Sequence, residues 1–68
     1  MQTLSITLDG RPHAVPLDST LADLVAALGH APAAVATAVN GVFVARAARM
    51  HILQPGDAVL LFQAIVGG

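Results

Sequence analysis

Leu4, Ile6 and Leu8 alternate with Thr3, Ser5 and Thr7, and a period of two is the mark of a strand that buries one face. Asp9-Gly10 follows at once. Both residues tolerate the positive φ of a tight type I′ turn, so the pair predicts a hairpin. The return strand covers about 11–15, and Pro12 places it at a sheet edge, where a missing N–H does no harm. The period then changes. Leu21, Leu24, Val25 and Leu28 recur at i, i+3, i+4 and i+7, which predicts a helix over 20–28 with one apolar stripe. Asp18 or Ser19 is expected to cap it, and Asp23 sits near the positive end of its dipole. Gly29 ends the helix, and Pro32 blocks its resumption. Residues 35–39 are rich in Val and Thr, and Asn40-Gly41 predicts a second two-residue hairpin turn into Val42-Phe43-Val44. A short helical turn is expected within 45–50. Gln54-Pro55-Gly56-Asp57 has Pro and Gly where a type II turn needs them. A last strand spans 58–63.

Hairpin, helix, hairpin, strand is the element order of an α+β domain. It predicts a mixed sheet of four to five strands packed on one helix, a β-grasp arrangement. A small β-barrel is the alternative, but it has no use for the amphipathic helix. The domain is expected to occupy 1–63, with 64–68 a flexible tail. Val59, Leu60, Leu61 and Phe62 are apolar at both parities, whereas one helix covers one face of a sheet. Val59 and Leu61 are therefore expected inside. Leu60 and Phe62 are expected outside, as a docking patch just ahead of the tail.

Composition narrows the chemistry. Sixty-eight residues without cysteine allow one domain held by its apolar core, with neither disulfides nor thiolate metal sites. A net charge of −1, two phenylalanines and no Tyr or Trp give no basic face and little to stack on bases, so no nucleic-acid partner is expected. The absence of lysine rules out isopeptide chains built on this protein itself. Residues 24–45 carry no charged side chain, but Gly29-His30, Pro32, Thr37 and Asn40-Gly41 interrupt them, so no membrane span is expected. The start has no basic n-region, and a cytoplasmic setting is the default. His13, His30 and His51 lack metal-ligand spacing and read as exposed or loop residues. Ser5 and Ser19 have no base beside them in sequence. Arg46 and Arg49 read as a solvated pair, with docking of an acidic partner as the alternative. No catalytic residue and no bound cofactor or metal is expected.

The remaining candidate is Ala64-Ile65-Val66-Gly67-Gly68. A C-terminal carboxylate is ionised at neutral pH, since it titrates at roughly 3.3 to 3.7; it can attack a phosphate ester such as ATP. Two residues without Cβ atoms can follow it through a narrow channel. Such an end can be handed into another protein's active site.

Val39-Asn40-Gly41, Val44 and Arg46, Gly56-Asp57, Leu61-Phe62-Gln63 with Ile65, and Gly67-Gly68 together resemble the ThiS family. These are ubiquitin-like β-grasp sulfur carriers of thiamin biosynthesis. The family often has proline before the Arg and tryptophan shortly after it; this chain has Ala45 and no tryptophan. The resemblance implies that a ThiF-type adenylyltransferase uses ATP to adenylate Gly68. A sulfur donor protein then supplies the sulfur of a thiocarboxylate, which a ThiG-type thiazole synthase consumes. Gly67, Val66, Ile65 and Ala64 would contact the partners' channels, and the chain would be a co-substrate and no enzyme. A ubiquitin-like modifier needs the same tail. A molybdopterin-type carrier is a further alternative, although it usually shows prolines before its Gly-Gly. A plain interaction module with an idle terminus is the third class.

Overall fold

In the computed structural model, which describes residues 2–63, the period-two start forms β1 (Thr3–Leu8) and returns as β2 (Arg11–Pro16). Asp9 and Gly10 between them have φ of 52° and 82°, as a type I′ turn requires. The helical stripe forms α1 (Leu21–Ala27), capped at its far end by Leu28. Then come β3 (Val35–Val39), β4 (Val42–Val44) and β5 (Ala58–Gln63). Single 3-10 turns at Pro32–Ala34 and Arg46–Ala48 lead into β3 and out of β4. The expected tail, 64–68, lies outside the described residues.

The five strands form one mixed sheet in the order β2-β1-β5-β3-β4. β1 and β5 run parallel, and the other neighbours run antiparallel. Pro12 and Pro16 thus lie on an edge strand, where proline forfeits no ladder bond. Helix α1 closes one face. Leu21, Leu24 and Val25 are buried with Leu4, Ile6, Val15, Val39, Leu53 and Val59, and each such side chain contributes about 1.5–3 kcal/mol. This is the β-grasp arrangement expected from the element order.

The helix is capped one residue later than expected. Thr20 is the N-cap: its Oγ1 accepts from the Asp23 N–H at 3.1 Å, and the Asp23 carboxylate accepts from the Thr20 N–H at 3.0 Å. Ser19 cannot serve because its hydroxyl donates to the Pro16 carbonyl at 2.6 Å. Asp18 lies outside the cap, in a left-handed turn with φ 68°. The next two helix donors are taken by the 46–53 segment: Leu21 N–H donates to the His51 carbonyl and Ala22 N–H to that of Arg49, each at 3.0 Å. That segment is stitched down again where Leu53 N–H meets the Ser19 carbonyl at 2.8 Å. Leu53, 1% exposed, thereby enters the core.

Candidate functional site

Two features converge on β5: the uncovered face of the sheet and the point from which the expected tail departs. Along β5, Val59 is buried and Leu61 is half-buried, whereas Leu60 and Phe62 point away from the helix and are 46% and 48% exposed. Period-two geometry alone forces this split once Val59 enters the core. Register then extends the apolar area. Leu60 pairs with Ala38, which pairs with Phe43 on β4, and Phe62 pairs with Ala36. Directly opposed residues share a face, so Leu60, Phe62, Ala36, Ala38 and Phe43 form one surface. Phe43 is 64% exposed. Beyond β5 the same face turns polar, with Thr3, Ser5 and Thr7 on β1. Phe43 and Ala36 escaped the sequence reading. The Asn40-Gly41 turn carried the signal for Phe43, since it fixes Val39 opposite Val42 and hence Ala38 opposite Phe43.

The end of β5 is flanked by two side chains from distant loops. On the β1 side, the Asp9 carboxylate accepts from the Leu61 N–H at 3.1 Å. On the β3 side, Gln63 pairs with Val35, whose carbonyl accepts from Arg49 Nη2 at 2.6 Å.

The expectation of a solvated Arg46 and Arg49 pair is corrected here for Arg49, which is 4% exposed. Its Nε donates to Thr37 Oγ1 at 3.2 Å and its Nη1 to the Pro32 carbonyl at 2.9 Å. Thr37 passes the network on to the Val44 carbonyl at 2.8 Å. The 3-10 turn after β4 aims this side chain under β3, and three oxygens with fixed geometry suit a guanidinium fork. Arg46 is exposed.

A third polar cluster ties the start of β5 to the β3–β4 turn. Asp57, 8% exposed, accepts from the Gln54 N–H at 2.9 Å and from Asn40 Nδ2 at 3.1 Å, with His51 Nε2 at 3.5 Å. Burial pushes its carboxyl up. The hydrogen bonds from Gln54, Asn40 and His51, with the charge of His51, outweigh that and hold it below its ordinary value. Asn40 Oδ1 in turn accepts from the Ala58 N–H at 2.9 Å. His30 and His51 are exposed loop residues as expected, although His51 also partners Asp57, whereas His13 departs from that reading as a half-buried residue of β2. Among the described residues no group of three or more His, Asp or Glu is placed to hold a metal ion. Likewise no helix among them is long and apolar enough to cross a membrane. Ser5 lies exposed on β1, and the hydroxyl of Ser19 is spent on Pro16.

Gly68, Gly67, Val66, Ile65 and Ala64 lie outside the described residues, so the structure places only the strand that precedes them. The comparisons with known proteins reach further along the chain. The sequence model of the ThiS family matches residues 5–68. The crystal structure of a thiamine biosynthesis protein (ThiS) from Geobacter metallireducens is similar, with a TM-score of 0.77 and 29% identity, covering 96% of this chain and 100% of that one. No curated protein matches the sequence.

Proposed function

The chain belongs to the ThiS family, and from that premise we propose that it is a sulfur carrier of thiamin biosynthesis whose Gly68 bears the transferable sulfur. The observation that carries this reading is the span of the family match, which runs through Gly67-Gly68. A carboxylate oxygen of Gly68 attacks the α-phosphorus of ATP in the active site of a ThiF-type partner, and pyrophosphate leaves. The acyl-adenylate so formed has the leaving group that a carboxylate lacks. Sulfur delivered by a donor protein at the oxidation level of sulfide attacks the acyl carbon, the bond to AMP breaks and AMP leaves, and the thiocarboxylate that results is an anionic nucleophile on a protein handle. A ThiG-type thiazole synthase consumes it. ATP is bound by the partner and not by this chain.

In this scheme the chain's own residues present and position. Leu60 and Phe62, with their register neighbours on β3 and β4, dock the partner. Ala64, Ile65 and Val66 line up in its channel, and Gly67 supplies clearance. From Gln63 to Gly68 an extended chain reaches about 20 Å, enough to enter a buried site. The docking patch is favoured by the exposure of Leu60, Phe62 and Phe43 beside the strand from which the tail departs.

The test is incubation with the activating enzyme, ATP and a sulfur donor, followed by mass spectrometry. One oxygen-to-sulfur exchange should appear in the C-terminal fragment and vanish without ATP. Localisation is required because sulfoxide formation at Met50, which is 74% exposed, adds nearly the same mass. A gain that maps to Met50, or that persists without ATP, overturns the reading.

A further inference from the structure

Within β5 the backbone groups alternate sides. The carbonyls of Asp57 and Val59 accept from the N–H groups of Thr7 and Asp9, each at 2.9 Å, so odd-numbered residues of this strand face β1. By the same alternation the Leu61 N–H faces β1 as well. There it finds no strand, because the β1–β5 register ends at Leu8 opposite Val59, and β1 has already turned at Asp9-Gly10. The Asp9 carboxylate fills the gap and accepts from Leu61 N–H at 3.1 Å. On the opposite side β3 continues to pair as far as Gln63. The last part of β5 is thus held by a backbone ladder on one flank and by one side chain on the other.

We propose that Asp9 is a positioning residue for the tail. Its carboxylate replaces the missing strand neighbour at Leu61 and holds β5 in the sheet as far as Gln63, the residue from which an activating enzyme would take up the chain end. Asp is suited to the task on two counts: it accepts φ of 52° in the turn, and as an anion it forms a stronger bond to an N–H than a neutral acceptor does. This rests on the carrier reading, in which an ATP-dependent activating enzyme must receive the tail.

The test compares D9G, which keeps the positive φ and loses the acceptor, with D9N, which keeps both. Amide exchange at Leu61 should be about tenfold faster in D9G, as expected for loss of a charge-assisted hydrogen bond, beyond any change at the core amides of Ile6 and Val25. Pyrophosphate release titrated with this protein should show KM raised several-fold in D9G with kcat retained. D9N, which keeps an acceptor without the charge, should bring both readouts most of the way back to the native values. The proposal is overturned if Leu61 in D9G exchanges as in the native chain or only in step with the core, if KM is unchanged, or if D9N behaves as D9G does. Failure of the native chain to be activated at all overturns the carrier reading, and this proposal with it.

Discussion

Arg49 and Asp57 show how single residues hold a small domain together where apolar contacts run out. Arg49 is a buried cation with no carboxylate among its hydrogen-bond partners in the described residues; there it is balanced by two carbonyls and a hydroxyl. Arg49→Met keeps much of the stem and strands those oxygens, so urea unfolding should show a loss of about 3 kcal/mol. Arg49→Lys cannot span three acceptors and should recover little of it. A loss below about 1 kcal/mol in Arg49→Met would mean that water replaces the guanidinium at no great cost. Asp57 sets the pH behaviour. Its folded carboxyl titrates below the ordinary 3.8, so its contribution is complete above that value and fades as pH falls through the folded pKa. Urea midpoints of the native chain and Asp57→Asn should therefore differ at pH 7 and draw together only as pH falls below 3.8 toward the folded pKa. A constant gap from pH 7 to pH 3 would show that the charge of Asp57 is irrelevant.

At the scale of elements, the end of α1 and the outer face of β5 separate stability from recognition. Thr20 and Asp23 close a reciprocal capping box. Thr20→Ala should cost about 1 kcal/mol in urea unfolding and leave partner binding unchanged, because the cap is remote from the β5 face. Phe62→Ala should do the opposite. With Phe62 48% exposed, the melting temperature should barely move, while affinity for the activating enzyme, measured by calorimetry, should fall at least about tenfold, as for an aromatic anchor in an interface. A large loss of stability with unchanged binding would assign Phe62 to the core and remove the docking patch.

At the scale of the whole molecule, the proposed function makes the fold a support that brings one chain end to a partner. Appending a single alanine after Gly68 keeps a carboxylate, displaces it and adds a Cβ. Pyrophosphate release should then collapse while the thermal transition stays where it was. If the extended chain is activated as well as the native one, Gly68 is not the reacting residue.

Local rules in the sequence determined the elements themselves. Two Asx-Gly pairs at positive φ fixed both hairpins, the i, i+3, i+4, i+7 stripe fixed the helix, and the alternation in β5 fixed which side chains face out. Each rests on contacts within a few residues, where backbone sterics and side-chain period decide. The terminal Gly67-Gly68 and the family match likewise needed only sequence. Tertiary structure alone decided what depends on distant segments meeting. It paired β5 with β1 and β3, and so put Phe43 and Ala36 beside Leu60 and Phe62. It drew Arg49 inward beneath β3, where a sequence reading sees only a charge beside another charge. It drew Leu53 into the core and His51 to Asp57. It also gave Asp9, legible as a turn residue, a second duty at Leu61, 52 residues away. A side chain's local period says which way it points, but only the packed chain says what waits there.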